Sequence, residues 1–226
     1  MFEYQEIELL DDILAGNLDG AVAKLRKEAE RSGYPELIHG LVEPVLRRAG
    51  EMWGESKISL AQSYVAGKVT ELLLDEYLKS GSAPVGDGSR GVIIMGNIED
   101  DFHVLGRRMV IAFLRLHGWQ VVDLGNDVPA ADFVDAAVRH GACIIGVSAM
   151  MLTTALNIKA VRVELDRRNL GDSIKLAVGG AIFRLRPDLV QELGADGTAD
   201  SAMEAPQLME RLAEGLSKKP AAAPAG

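Results

Sequence analysis

The first 80 residues carry apolar positions three and four apart, the spacing of one face of a helix. These positions fall in four stretches: Leu9–Leu14, Leu18–Ala29, Leu37–Trp53 and Val65–Tyr77. Gly16 and Gly33 end the first two stretches, and Pro35 suits the first turn of the third helix. The pattern predicts an N-terminal four-helix bundle over residues 1–80.

From residue 91 onward, short apolar runs alternate with helical patterns. The predicted strands are Val92–Met95, Gln120–Leu124, Cys143–Ser148, Lys175–Val178 and Gly197–Ala199. The predicted helices cover residues 104–117, 129–140, 153–169, 185–193 and 201–216. Strands that alternate with helices pair in parallel through right-handed crossovers, so we predict an α/β fold with a flavodoxin-like, doubly wound five-stranded parallel sheet.

Composition separates the two halves and marks the end of the chain. Residues 81–90 are rich in Gly, Ser and Pro and are predicted to be a linker between the helical bundle and a domain at 91–217. The tail at 218–226 consists almost entirely of Lys, Pro, Ala and Gly, and we predict that it is disordered.

Charge and hydropathy exclude several classes of partner. The formal net charge is −9, which argues against nucleic-acid binding because phosphate contacts need clustered Lys and Arg. No apolar run reaches the ~20 residues of a membrane span. The acidic N-terminus lacks the features of a signal peptide. We therefore expect a cytoplasmic protein, in which the single Cys143 is a buried thiol.

The most informative motif directly follows the first predicted strand. It reads Asp101-Phe102-His103-Val104-Leu105-Gly106 and opens a helix. Open α/β sheets bind ligands at the carboxyl ends of their strands, where this imidazole is expected. A carboxylate two residues before the His can orient the ring and raise its basicity, as for metal-ligating histidines. Gly106 lets a bulky group approach the backbone.

Two later loops are expected at the same edge of the sheet. The loop after the third strand contains Ser148, Met150, Thr153 and Thr154. The loop after the fourth strand reads Gly179-Gly180-Ala181. Glycines, which have no side chain, leave room for a group to lie against the backbone, and the Ser148 hydroxyl can donate a hydrogen bond.

These three loops together resemble the cobalamin-binding domain of corrinoid proteins. The resemblance implies that His103 is the lower axial ligand of cobalt and that the dimethylbenzimidazole base of the cofactor is displaced. The base and its nucleotide would then occupy a slot beside Ser148, Gly179 and Gly180, with Met150 where the family has Leu. The resemblance also implies a relay in which Thr154 contacts Asp101.

The N-terminal half resembles the helical cap of corrinoid proteins that serve methyltransferases, so the resemblance covers about residues 5–215. Segments such as Gly33–Ile38 and Gly50–Trp53 carry it. In this family the cap shields the upper face of the corrin, and Trp53 is a candidate for that position. A core aromatic at Trp53 is an equally open interpretation.

The ligand loop departs from the family pattern at three positions. Asp100 stands where Gly is usual, Val104 where a second Asp is usual, and Arg107 where Lys is common. These changes place an added charge beside the loop and remove a carboxylate after the His. We expect them to alter the tuning of cobalt or the selectivity for corrinoids more than cofactor binding itself.

The resemblance implies a methyl carrier whose cobalt cycles between cob(I)alamin and methylcobalamin. Such a chain has no turnover alone and serves as the corrinoid subunit of a methyltransferase system. Its expected partners are methyltransferases and a reductive activator, and an exposed cap surface also favours self-association. The protein would supply axial ligation, orientation and shielding, while the cofactor performs the chemistry.

The alternative function is a cobalamin-dependent sensor or regulator without a DNA-binding domain of its own. Light-responsive regulators of similar arrangement carry Glu-His ten residues after a Trp, whereas counting from Trp53 gives Ser63-Tyr64. A phospho-receiver domain shares the sheet topology but needs an Asp at the end of the third strand. Here that position is Ser148.

Overall fold

The computed structural model describes residues 2–80 and 90–217. The chain divides into two compact units, Met1–Ala83 and Pro84–Gly226. Apart from Arg90, the predicted linker at 81–90 and the predicted tail at 218–226 lie outside the described residues. Within the described ranges, no helix is both long enough and apolar enough to cross a membrane.

Every secondary-structure element among the described residues of the first unit is a helix. Its helices are α1 (Glu3–Ala15), α2 (Leu18–Ser32), α3 (Tyr34–Leu37), α4 (Glu43–Gly54) and α5 (Leu60–Lys79). Gly16 ends α1 in the left-handed conformation, and the Asn17 side chain caps α2 by accepting a hydrogen bond from Gly20 N. The helices bury one apolar face each, and the prediction of a helical N-terminal half is confirmed.

The third predicted helix is not continuous. A π-helical turn, Ile38–Val42, separates α3 from α4, and the N–H of Glu43 bonds the carbonyl of Ile38 five residues back. Pro44 follows directly and has no N–H to donate to Gly40, so the regular pattern is interrupted there. Gly40 also faces the ring of Phe2, where an added Cβ would lie 2.7 Å from the ring.

The second unit contains the predicted parallel sheet. Its strands are β1 (Val92–Asn97), β2 (Gln120–Asp123), β3 (Ile144–Ser148), β4 (Lys175–Gly179) and β5 (Gly197–Thr198). All neighbours are parallel and the strand order is β2-β1-β3-β4-β5. This is the flavodoxin-like order, whose switch point for ligand binding lies between β1 and β3.

The helices of this unit agree with the predictions before β3 and differ after it. They are α6 (Val104–Leu116), α7 (Ala130–His140), α8 (Leu152–Ala155), α9 (Lys159–Arg167), α10 (Ala181–Leu185), α11 (Leu189–Glu192) and α12 (Ala205–Ser217). A 3₁₀ turn at Leu156–Ile158 divides the helix predicted at 153–169. The single helix predicted at 185–193 is wrong, because Pro187 separates α10 from α11.

Each face of the sheet is covered by helices. The larger cluster joins Ile94, Ile145 and Leu176 to α7 and α9, and the smaller one joins Ile93, Met95 and Ala177 to α6 and α12. Side chains alternate between faces along a strand. The last residues of β1, β3 and β4 therefore lie on the α6 and α12 face.

Candidate functional site

Asp101 lies in the loop after β1 and is fully buried. Its N–H bonds the carbonyl of Ile98 at 2.9 Å, which turns the chain sharply at the end of the strand. Asp100 in this turn has a positive φ of 67°, a conformation that Asp and Asn tolerate better than most residues. The turn aims the Asp101 carboxylate back under the loop, toward β3.

Four donors converge on the Asp101 carboxylate. Oδ1 accepts from Asn97 Nδ2 at 2.6 Å and from His103 N at 3.0 Å. Oδ2 accepts from Met150 N at 2.8 Å and from Thr154 Oγ1 at 3.1 Å. Burial by itself raises the pKa of Asp101, but these hydrogen bonds outweigh it and hold the pKa below its usual value. The residue is therefore a fixed anion.

The His103 side chain lies beside this anion and is 51% exposed. The residue precedes α6, and its ring Nδ1 is 3.4 Å from Asp101 Oδ1. A carboxylate only accepts hydrogen bonds, so it favours the tautomer that carries the proton on Nδ1. Nε2, on the other side of the ring, is then an unprotonated lone pair suited to a metal.

A second group of polar side chains lies behind Asp101. Asn97 and Arg107 are buried, and Arg107 Nε donates to Asn97 Oδ1 at 2.7 Å. Arg107 also pairs with Asp123 and donates to Asn126 Oδ1 at 2.9 Å. Sequence reasoning noted Arg107 only as a departure and missed its partners. The available signal was that Arg107 shares a helix face with Ile111 and Leu114, both buried.

Ser148, the last residue of β3, lies between a site residue that was not predicted, Asn97, and one that was, Gly179. Ser148 is in register with Asn97 on β1 and with Gly179 on β4, so the three residues form a row on one face. Among the described residues, nothing forms a hydrogen bond with the Ser148 hydroxyl. It is therefore available to a ligand in this row.

The loop after β3 joins the His103 loop through Asp101. Met150 contributes its backbone N–H and Thr154 its hydroxyl, so the contact predicted between Thr154 and Asp101 is present. Thr153 points to solvent, and Met151 and Leu152 are exposed. With Phe102, which is 63% exposed, these last two provide apolar surface on the loops that carry His103 and Met150. Sequence reasoning did not identify Met151 or Leu152.

The two glycines at the end of β4, Gly179 within the strand and Gly180 after it, have different roles. A Cβ on Gly180 would lie 2.0 Å from the carbonyl oxygen of Ala149, and its φ is 118°. Gly180 is therefore required by the neighbouring loop itself. A Cβ on Gly179 would meet nothing within 4 Å, so Gly179 borders open space beside Ser148. Ala181 begins α10 and is exposed.

The remaining predicted residues are more peripheral. Val104 and Leu105 begin α6 and are half-buried, and Gly106 is exposed with open space where a Cβ would stand. Trp53 lies on α4 in the helical unit and is 37% exposed. A cavity of about 370 Å³ lies near the loop after β2, lined by residues such as Asp127, Asp132 and Arg139, and contains none of the predicted site residues.

The geometry fits a cofactor that brings its metal already ligated. His103 offers one ring nitrogen, and the adjacent carboxylate is occupied by hydrogen bonds. A metal bound at His103 therefore needs its other ligands from elsewhere, as cobalt has in a corrin ring. The Ser148 hydroxyl and the open space at Gly179 suit the displaced base. The residues present thus fit a corrinoid.

Two family models match this chain. A B12 binding domain matches residues 91–207, and a second B12 binding domain model matches residues 6–77. A corrinoid protein of Desulfitobacterium hafniense is 31% identical over 214 residues, which are 91% of this chain and 98% of that protein. The two halves of the chain thus match the two parts of one kind of protein.

Solved structures agree with the sequence comparisons. The Methanosarcina barkeri monomethylamine corrinoid protein has a TM-score of 0.66 and 29% identity, covering 90% of this chain and 96% of its own. A chain of the methanol:cobalamin methyltransferase complex of the same organism has a TM-score of 0.55 and 25% identity, covering 95% and 81%. The chain belongs to the B12-binding corrinoid proteins, whose cofactor is cobalamin.

Proposed function

We propose that this chain is a methyl carrier that holds cobalamin through His103, with the cofactor's own base displaced (His-on, base-off). The observation that carries the proposal is the half-exposed His103 ring held beside a fully buried, four-fold hydrogen-bonded Asp101. When bound, the corrinoid supplies a cobalt that accepts and releases a methyl group. The protein supplies the lower ligand and its orientation.

Residues of three loops share the task of holding the cofactor. The unprotonated ring nitrogen of His103 would bind the cobalt. Asp101, which accepts a hydrogen bond from Thr154, would keep the ring from rotating away. Ser148 and Gly179 border the space for the displaced base on the α6 and α12 face. Phe102, Met151 and Leu152 offer apolar contact to the corrin. Val104, Leu105, Gly106, Met150, Thr153, Gly180 and Ala181 complete the lining.

The helical unit has the role of a cap in this proposal. It matches the second family model and the N-terminal part of the methylamine corrinoid protein structure. Trp53 is proposed to cover the upper face of the corrin, since its indole is partly exposed rather than buried in the helical core.

The proposed partners are methyltransferases, one that loads the methyl group and one that removes it. Support comes from the similarity to a chain of a methanol:cobalamin methyltransferase complex. A reductive activator is a further proposed partner, because cobalt that is accidentally oxidised leaves the methyl cycle. Self-association through an exposed surface of the cap is also proposed, as it was from the sequence.

The test is electron paramagnetic resonance of the protein loaded with Co(II) cobalamin. With protein containing ¹⁵N-histidine, we expect the axial nitrogen splitting to change from a triplet to a doublet, since a protein imidazole replaces the unlabelled base. His103→Ala should abolish that splitting and weaken binding by about tenfold or more. His140→Ala, an exposed histidine at the end of α7, is the matched control.

Two results would contradict this proposal. A triplet that survives ¹⁵N labelling would mean that dimethylbenzimidazole remains on cobalt. Methylcobalamin-loaded protein that changes its assembly on illumination, measured by light scattering, would favour the sensor function over the carrier.

A further inference from the structure

Asn97 is a fully buried amide between a cation and an anion. Its Oδ1 accepts from Arg107 Nε at 2.7 Å, and its Nδ2 donates to Asp101 Oδ1 at 2.6 Å and to the His103 carbonyl at 3.2 Å. Arg107 is anchored in turn by Asp123 and Asn126. The amide is thus hydrogen-bonded at both ends by side chains that are themselves buried or held.

The orientation of this amide follows from the chemistry of its neighbours. A guanidinium group only donates, and an ionised carboxylate only accepts. Asn97 Oδ1 must therefore face Arg107, and Nδ2 must face Asp101. A rotation of the amide by 180° would place oxygen against carboxylate and N–H against guanidinium, two repulsive contacts in a buried site.

Asn97 and the His103 ring meet the same oxygen of Asp101. A carboxylate oxygen has about two lone pairs, and those of Oδ1 already receive Asn97 Nδ2 and the backbone N–H of His103. The ring Nδ1 would be a third donor to this oxygen, and it lies 3.4 Å away, compared with 2.6 Å for Asn97 Nδ2. Asn97 therefore makes the shorter contact with Asp101 Oδ1, and the His103 ring makes the longer one.

We propose that Asn97, locked by Arg107, limits how strongly Asp101 binds the His103 ring and so sets the strength of the axial ligand. This inference rests on the proposed role of His103. Asn97 is a positioning residue: it acts on cobalt only through Asp101 and His103. Without it, Oδ1 has a lone pair free for Nδ1–H, the imidazole gains anionic character, and its bond to cobalt becomes stronger.

The experiment measures the Co(II)/Co(I) midpoint potential of cobalamin-loaded wild type and Asn97→Ala. A stronger axial ligand stabilises Co(II), which is ligated from below, relative to Co(I), which is not. We expect the ligation constant to rise about tenfold, the lower end of the range that outer partners of metal ligands control. For a one-electron couple this is a potential about 59 mV more negative.

The direction of the shift separates this role from a merely structural one. Asn97 also holds the His103 carbonyl, so a variant that only loosened the loop would weaken ligation and move the potential upward. Asn157→Ala is the matched control, because Asn157 bonds the nearby Glu99 carbonyl at 3.3 Å outside this network. Its potential should equal that of wild type.

Asn97→Ser provides a second variant that removes the amide but leaves a small polar group, a hydroxyl, in the buried cluster, and thermal unfolding of the apoprotein verifies that each variant is folded. A more negative potential in folded Asn97→Ala supports the proposal, and Asn97→Ser takes its place only if Asn97→Ala does not fold. In the variant that is measured, a potential that is unchanged, shifted upward, or shifted equally in Asn157→Ala overturns the proposal. The ¹⁵N-histidine splitting in the electron paramagnetic resonance spectrum is measured on wild type and His103→Ala in the same series. If wild type lacks that splitting, the proposed role of His103 fails, independently of the result for Asn97.

Discussion

At the scale of single residues, the ionised state of Asp101 is tied to the fold. The carboxylate is buried, and its four hydrogen-bond donors come from β1, the His103 loop, the loop after β3 and α8. The group therefore joins the two loops on either side of the switch point as well as orienting His103. Its protonation removes the charge that strengthens these contacts and turns one of the two acceptor oxygens into a donor.

We expect Asp101→Asn to lower the free energy of unfolding of the apoprotein by about 2–3 kcal/mol at neutral pH, because an amide opposes several of these donors. The folded pKa of Asp101 is lowered. Its stabilisation is therefore complete above the unfolded value of about 3.9 and is lost as pH falls through the folded value. Urea unfolding at several pH values should show the difference between variant and wild type shrinking below about pH 4.

The control for this series is Asp200→Asn, an exposed aspartate in the same unit. It should leave the unfolding curve nearly unchanged. If the difference in unfolding free energy between Asp101→Asn and wild type stayed constant down to pH 2, the stabilisation by Asp101 would not depend on its ionisation.

The two glycines at the end of β4, Gly179 and Gly180, should differ strongly in how much the same substitution costs. Gly180→Ala creates a contact of 2.0 Å with the Ala149 carbonyl at a positive φ, so we expect a loss of at least about 3 kcal/mol in stability. Gly179→Ala meets no atom and should leave apoprotein stability within about 1 kcal/mol of wild type. Denaturant unfolding of both variants measures this contrast.

Cobalamin affinity gives the other half of that comparison. If Gly179 borders the slot for the displaced base, Gly179→Ala should weaken cobalamin binding by about tenfold, since filling a packed site costs about 1–3 kcal/mol. A folded Gly179→Ala protein that bound cobalamin like wild type would place the base elsewhere.

At the scale of elements, the start of α5 in the helical unit is stabilised both by a local capping motif and by a contact with another helix. Ser59 and Gln62 form a reciprocal capping box at the start of α5. The Gln62 amide also donates to the Leu14 carbonyl at the end of α1, at 2.8 Å. One side chain therefore caps its own helix and fixes a neighbouring one.

We expect Gln62→Ala to destabilise the protein by about 2 kcal/mol, compared with about 1 kcal/mol for Ser59→Ala, because only the glutamine variant also loses the bond to α1. Thermal or urea unfolding measures the two losses. Gln5→Ala on α1, a half-buried glutamine, is the matched control and should have little effect. Equal losses at Ser59 and Gln62 would mean that the contact to Leu14 contributes nothing.

The elements also show where sequence patterns were sufficient. Each strand was predicted within about two residues of its observed ends, because apolar runs between turn residues report strand burial directly. The π turn at Ile38–Val42 and the break at Pro187 were not predicted, although both involve a proline visible in the sequence. Apolar spacing alone does not show whether a helix continues through or stops at such a residue.

At the scale of the whole molecule, the two units match two different models of the same family. In the proposed function, the second unit would hold the cobalt of cobalamin through the His103 imidazole and the residues behind it. The proposed role of Asn97 and Arg107 extends that control from the loop into the buried ends of β1 and α6.

Cofactor binding should stabilise the unit that contains the sheet. A ligand present at 100 times its dissociation constant adds about 2.7 kcal/mol to the unfolding free energy of the part that binds it. Hydrogen exchange of the loaded protein should therefore slow in β1, β3 and β4 and their loops. His103→Ala at the same cobalamin concentration should show a smaller effect, and equal protection in both proteins would exclude His103 as an important contact.

The sequence by itself determined the two halves, the parallel sheet and the loops that carry Asp101, His103, Ser148 and Gly179. These features are local: periodicity, turn residues and the order of strands place them without knowledge of any long-range contact. Only the tertiary structure decided that Asn97, Arg107 and Asp123 stand behind the histidine and that Gly180 is required by Ala149. Such contacts join residues that are distant along the chain, and their distances depend on how α6 and the β3 loop pack against the sheet.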